Sequence, residues 1–417
     1  MFAACHRILI AITLLLFAAI PAFHGQERPP SPSQPPPASP AKPKPRDLLK
    51  MTAQQRHLYM SAQRGAEWLQ RANKQDGRFV FGFVPALRIP MEEDSYLGQV
   101  EATFALARSA KFFGNAQAVA IARHALLTLL LETTADPRQP KVCWTSPPSV
   151  LVNRAAAAGL LVLAIHELPE PASDVLDKAD HLCNFLAGLL QTDGSIMLAD
   201  PGSQPAADAI EQFSGPALHG LIRSQTLRPA AWKIEALSKA RAYYHGYWLK
   251  KKNLPMVPEH TAAFAEAFLL TRDRDFAEFI FVMNDWLCTL QYREVDPRRQ
   301  AWAGGFMPWV DGKPAPHAPD IRSALAAQSL ADACRVAQAA EDWPRFKRYK
   351  EALEGCLQFL TTLQYTDANT QHFAEWYRPL LVGGFYVSAR DGNLRLDHTA
   401  HCVSAFVQYL RHTAELP

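Results

Sequence analysis

Asp397 and His401 stand four residues apart in the string Asp397-His398-Thr399-Ala400-His401-Cys402. On a helix, positions i and i+4 share a face, so this carboxylate can hydrogen bond to this imidazole. A carboxylate-oriented histidine is a standard proton acceptor near neutral pH. His398 follows Asp397 directly and points about 100° away from it around the helix. Arg395 lies close enough in the chain to neutralise Asp397. The plainer alternative is that Asp397 caps a helix and His401 is buried in its core.

A second acid–base candidate is the run Glu92-Glu93-Asp94 ahead of Ser95 and Tyr96, with Gln99 and Glu101 following. Three acids at a helix start can supply a general acid and a general base. They equally suit a cap and a favourable helix dipole. Glu101 is the sharper residue, because it sits on an alanine-rich helix with few places to be solvated. Asp397, His401, Glu101 and Glu93 are therefore the candidate catalytic set.

The candidate binding residues are more scattered. Asn153-Arg154 opens a very apolar helix, where an arginine facing inward can clamp a carboxylate or sulfate in two-pronged fashion. It can also satisfy loop carbonyls. Asp208, Glu211 and Gln212 precede Phe213, and Glu259-His260 with Glu266 occupy another inner helix. Trp302, Phe306, Trp309, His317, His372, Trp376 and Tyr377 crowd two long links. Aromatic platforms beside acids and amides hold sugars, but the same side chains also pack loops onto a barrel. Asn153, Arg154, Glu211, His260, Trp309 and Trp376 are the candidate substrate-binding residues. No metal site is expected.

These residues need elements to position them. Six times an aromatic-rich helical stretch is followed, after a break, by an alanine-rich one. The first set is expected at 52–73, 116–132, 173–191, 229–250, 275–292 and 344–365. The second set is expected at 96–113, 149–166, 210–226, 260–272, 320–340 and 397–413. Segments such as Ala155-Ala156-Ala157-Ala158-Gly159-Leu160-Leu161 are apolar nearly all round, which marks buried helices. The first set carries a charged face, as at Lys233, Glu235, Lys239 and Arg241, and should face water. A single helix hairpin cannot bury its own apolar face, so the repeat predicts an inner ring of helices inside an outer ring. Links from outer to inner helices are long and links from inner to outer are short, so all long links should lie at one end. Unpaired N–H groups of the inner helices would face that end.

Four breaks carry a related signature. They read Trp68-Leu69 with Gln75-Asp76-Gly77, Phe185-Leu186 with Gln191-Thr192-Asp193-Gly194, Trp286-Leu287 with Gln291 and Gly304-Gly305-Phe306, and Phe359-Leu360 with Gln364 and Gly383-Gly384-Phe385. Six hairpins with Q-x-D-G-x-F-like segments resemble the all-α (α/α)6 toroid of terpene cyclases and protein prenyltransferase β subunits. The same toroid occurs in unsaturated-uronate hydrolases, sugar epimerases and polysaccharide lyases. The resemblance covers most of 50–417 as architecture, and only those four segments as motif. It implies a site at the long-loop end and does not choose a reaction. The Asp-x-Asp-Asp acid of squalene-type cyclases is absent. The segment around His401 looks like the helix that bears the prenyltransferase zinc histidine, but the Asp-x-Cys half is missing. Paired cysteines of the lanthionine-cyclase kind are also missing. No cofactor is implied.

The N-terminal segment points outward from the cytoplasm. Arg7, an apolar run from Ile8 to Ile20 and Pro21-Ala22 read as a signal peptide over 1–25. The run is short for a span of roughly 20 residues, though an uncleaved N-terminal membrane tether stays open. Residues 26–48 hold nine prolines and read as an extended disordered linker. The toroid domain then spans 49–417. Five basic residues against Glu27 give 1–46 a charge of +4, whereas the whole chain carries +3, so the domain is near neutral. Nucleic acid is thereby disfavoured as a partner. Six of seven cysteines fall in the domain, mostly in apolar helical stretches, and read as buried thiols. The expectation is a periplasmic or secreted toroid that processes or binds a glycan or glycan-like polymer, with acid–base chemistry if it is catalytic. The alternatives are a terpenoid or prenyl substrate and a non-catalytic binding or scaffold module. An acidic, aromatic-lined open lumen would favour the glycan, a dry aromatic one the terpenoid, and a lumen filled by its own side chains the scaffold.

Overall fold

The computed structural model describes residues 48–147, 152–199, 206, 208–293 and 297–414. Residues 1–47, which hold the expected signal and nearly all of the linker, lie outside the described set. Twelve long helices alternate as the sequence predicts. The outer ones are α1 (Ala53–Ala72), α3 (Ala116–Leu130), α5 (Ser173–Leu189), α7 (Ala231–Lys250), α9 (Arg274–Cys288) and α11 (Trp343–Thr361). The inner ones are α2 (Tyr96–Phe113), α4 (Arg154–Glu167), α6 (Ala209–Ser224), α8 (Val257–Thr271), α10 (Ser323–Ala339) and α13 (Leu396–His412). A short α12 (Arg378–Leu381) lies within the last link. Each inner helix packs on the next, and α13 packs back on α2, which closes the ring as an (α/α)6 toroid.

Composition explains the layers. Thirteen of the 14 residues of α4 are buried, whereas α11 buries only seven of its 19, along one face that includes Tyr349, Leu353, Cys356 and Leu360. Helix starts follow the capping side chains. Ser95 accepts from Gly98 N at α2, Asn115 from Ala118 N at α3, and Asp342 from Arg345 N at α11. Asn153 accepts from Ala156 N, so α4 begins at Arg154 and not at the expected 149. Pro258 in its first turn lets α8 begin at Val257, earlier than 260.

The long links contain small sheets that the sequence reading did not anticipate. The four-stranded one runs β2 (Ile89–Pro90), β1 (Gly82–Val84), β8 (Asp391–Arg395), β7 (Tyr386–Ser388). In it Phe83 pairs with Leu394 and Gly82 with Arg395, so the first link is tied to the last. β3 (Thr133–Ala135) pairs with β4 (Cys143–Thr145), and β5 (Trp309–Val310) with β6 (Lys313–Pro314). Such short strands, two to five residues long, leave little periodicity to read.

The four signature segments are equivalent turns, but in a register other than the expected one. Their isolated bridges are Asn73–Phe79, Leu190–Ile196, Gln291–Phe306 and Gln364–Phe385. Gln75 and Gln191 are therefore two and one residues out of step with Gln291 and Gln364. Where the glutamine is in step it holds the turn to the next outer helix. Gln291 donates to Gly304 O at 2.9 Å and Ala352 O at 2.7 Å, and Gln364 donates to Gly383 O at 2.9 Å and Ser61 O at 3.0 Å. The turn glycine is required twice over at Gly383. Its φ is +97°, and an added Cβ would sit 2.3 Å from Arg64 O on α1. Gly383→Ala is expected to destabilise the fold by about 1–3 kcal/mol, read as a lower thermal midpoint. An unchanged midpoint would show that this turn does not set the closure of the ring.

Candidate functional site

All six inner helices send side chains into the lumen, among them Glu101, Leu160, His219, Glu259, Gln328 and His401. The space they leave is about 30 Å³, room for a water molecule or two. Most of the lumen is thus filled by its own residues, and many of those are charged.

The upper part lies near the inner-helix N-termini. Glu101, Gln328 and His401 are each the sixth residue of α2, α10 and α13, which are neighbours in the ring. They therefore meet at one height. His401 Nε2 lies 3.6 Å from Glu101 Oε2, and Gln328 Nε2 lies 3.0 Å from His401 Nδ1. The Glu101 side chain keeps 25% exposure and that of His401 keeps 18%, so the pair is reached from the loop end. Burial, then the negative charges of Asp397 and Glu259, push the Glu101 carboxyl well above its usual value. Burial likewise lowers His401, against the pull of Asp397 and Glu259. Burial thus favours the uncharged form of both partners, a carboxyl on Glu101 beside a neutral imidazole.

Asp397 is set differently. β8 runs straight into α13, which places Arg395 over it, and the guanidinium binds both carboxylate oxygens at 3.1 and 2.7 Å. His398 N adds a third bond at 3.0 Å. Burial opposes ionisation, but the Arg395 bonds and nearby histidines hold Asp397 below the usual carboxylate range. The expected Asp397–His401 dyad is therefore corrected in its bonding. Both residues are present, but Asp397 belongs to Arg395, and His401 to Gln328 and Glu101. His398 is buried with Nδ1 unpartnered, and burial lowers it to about 4.

Below this level the lumen is a column of ion pairs. His219 reaches Glu259 through Nδ1 at 3.3 Å and Glu266 through Nε2 at 3.4 Å. Both nitrogens then donate, and the two carboxylates outweigh burial to raise His219. Arg223 binds Glu266 through Nε at 2.8 and 2.9 Å and through Nη2, and binds Glu167 through Nη1 at 3.0 Å. Arg108 Nε stands 3.8 Å from the same Glu167. Burial opposes the ionisation of Glu266, but Arg223 and His219 press it far below its usual value.

The other sequence candidates are placed as follows. Glu93 is exposed and sits within electrostatic reach of Arg395. In the same run Asp94 binds Arg78 at 3.1 Å and Gln99 at 2.8 Å, and Ser95 does the capping. Asn153 is a cap, and its amide donates to Leu198 O at 3.0 Å. Arg154 lies over the Trp144 ring at 5.7 Å and lines a groove with Phe185 and Leu189, outside the lumen cavity. Glu211 is a strut to α7, bound by Tyr247 OH at 2.5 Å and Lys251 Nζ at 2.6 Å. His260 is fully buried between Met256 O at 3.0 Å and Ser214 Oγ at 3.1 Å, and is lowered by burial to about 4. For Glu211 and His260 the expected substrate contact gives way to packing, because every nearby partner is structural. Trp309 packs edge-on against Trp286 at 5.4 Å, whereas Trp376 is 67% exposed.

Sequence reasoning missed Gln328, His219, Arg223, Glu167 and Arg108. A charge inside a helix that is otherwise apolar all round was the available signal, and it is visible for Arg108 and Arg223. Gln328 carries no such signal. Among the described residues no group of three or more His, Cys, Asp and Glu is placed to hold a metal, and no helix is long and apolar enough to cross a membrane.

No family model and no curated protein matches the chain. Solved structures do. An unsaturated glucuronyl hydrolase specific for heparin aligns with a TM-score of 0.59 at 12% identity, over 85% of this chain and 96% of its own. An α-1,6-mannanase from Salegentibacter sp. HEL1_6 aligns with a TM-score of 0.59 at 10% identity, over 84% and 98%. A type II terpene cyclase from Scytonema aligns with a TM-score of 0.52 at 14% identity, over 86% and 98%. At these identities the likeness establishes the (α/α)6 toroid fold, shared by glycan-processing enzymes and a terpene cyclase alike.

Proposed function

We propose that the protein processes a glycan or glycan-like polymer by acid–base chemistry at the loop-end mouth of the toroid. The observation that carries this reading is the pair of carboxyls driven apart in one mouth. Glu101 is raised by burial and by like charge, and Asp397 is held down by Arg395. Groups whose environments separate their proton affinities are the usual acid and base of such sites. Glu101 is the proton donor, and Asp397 or Glu259 is the ionised partner. The polymer lies across the long links, where Trp376 offers an exposed platform, and only its reacting unit reaches Glu101. The solved structures of similar fold that act on heparin-derived and mannan substrates support the substrate class.

A terpenoid substrate fits less well. A hydrocarbon chain in the lumen would meet the Arg108–Glu167–Arg223–Glu266 column, and burying apolar groups against unscreened charge is unfavourable. The lumen filled by its own side chains favours a second reading, a non-catalytic binding or scaffold module. By sequence we also propose an export signal at 1–25, cleaved or kept as a membrane tether, a linker at 26–48 and the toroid domain at 49–417, an organisation suited to a protein outside the cytoplasm.

The test is a glycan array followed by mass analysis of each bound glycan after incubation. Binding with a change of mass or of sugar stereochemistry supports the enzyme. Binding without change supports the module. Binding of prenyl lipids with no glycan bound would overturn both.

A further inference from the structure

We infer that Gln328 fixes the tautomer of His401, so that His401 presents an N–H toward Glu101 and it is Glu101, not His401, that exchanges a proton with a ligand. The catalytic meaning rests on the acid–base reading above, but the tautomer stands on geometry. The Gln328 side-chain nitrogen lies 3.3 Å from the main-chain oxygen of His401. A carbonyl oxygen only accepts, so Gln328 must present its NH2 group on this side. The same NH2 lies 3.0 Å from Nδ1, which must then be the bare, accepting nitrogen. The ring proton is left on Nε2, which faces Glu101 Oε2 at 3.6 Å. That distance is long for a finished hydrogen bond, as is common before a ligand closes a site.

Two consequences follow for the proton inventory. His401 has no free lone pair to offer a substrate, because Nδ1 is occupied and Nε2 carries hydrogen. It is a positioning residue, and Gln328 positions it in turn. The Glu101 oxygen facing Nε2–H is the accepting one, so when Glu101 carries its proton that proton sits on Oε1, directed away from the imidazole. This reverses the role expected from the Asp397–His401 spacing, in which His401 would be the base.

The test needs no substrate. In protein labelled with 15N-histidine, the His401 signals are identified by their loss in His401→Gln, against the background of the other histidines. At pH 7 the expected pattern is a protonated Nε2 and a bare Nδ1. Gln328→Glu keeps the size but replaces the donor with a carboxylate acceptor, and Nδ1 should then become protonated. A wild-type Nδ1–H tautomer, or an Nδ1 that stays bare in Gln328→Glu, overturns the inference. The expected tautomer in a protein that converts no glycan would keep the inference and discard the glycan-processing reading.

Discussion

Glu101→Gln is expected to lower turnover of the glycan by about 10²- to 10⁴-fold while leaving it bound. The amide keeps the shape and the acceptor oxygen facing His401 but has no acid proton to give. The same substitution is expected to raise the thermal midpoint at pH 7. The sign follows from the raised carboxyl. In the unfolded chain Glu101 ionises near 4.5, and in the fold only at higher pH. The fold therefore loses stability as pH rises from 4.5 through the folded value, and Gln removes that loss. Loss of turnover with a gain in stability is the signature of a functional group held at a structural cost. A drop in both would make Glu101 a structural residue. Turnover of the wild type should fall at high pH as Glu101 ionises and at low pH as Asp397 and Glu259 take up protons.

Arg223→Met is expected to cost about 3–5 kcal/mol, the largest effect on stability in the domain. Arg223 binds both Glu266 and Glu167 in the column, and methionine would leave Glu266 to His219 and Glu167 to the more distant Arg108 and Arg411. Urea unfolding at pH 7 reads the loss. In the wild type both carboxyls are held below 4.5, so their contribution is present at neutral pH and fades as pH falls through their folded values. In the variant they are raised instead. The gap between the two proteins should therefore narrow on acidification toward pH 5. Glu266→Gln added to Arg223→Met should recover part of the loss, since Glu167 keeps Arg108 and Arg411 as neighbours. A single variant as stable as the wild type would mean that solvent reaches this column freely.

The fold was legible because the repeat was. Helices such as α4 and α8 are apolar nearly all round, and α1, α7 and α11 keep a charged face, so two rings followed from composition alone. The small sheets were not legible, since strands of two to five residues leave little period to read. The register of the turns was misread at Gln75 and Gln191 because a glutamine beside Asp-Gly outweighed the count from the preceding aromatic pair. Asn73 and Leu190 hold those places.

Of the candidate site, Glu101 and His401 were found by type and spacing, and they meet. Their partners were not found, because partnership here runs between neighbouring inner helices that are far apart in the chain. Gln328 precedes His401 by 73 residues, and Glu167 and Arg223 are 56 apart. No local pattern encodes such pairs. Spacing also promoted the Asp397–His401 contact over Arg395, which lies two residues from Asp397 but reaches it only because β8 turns directly into α13.

The most direct measurement is infrared difference spectroscopy of wild type against Glu101→Gln across a pH titration. The account predicts a protonated carboxyl band in the wild type at pH 5 that is missing in Glu101→Gln, with Asp397 ionised at that pH. A wild type in which Glu101 is already ionised at pH 5 would contradict it.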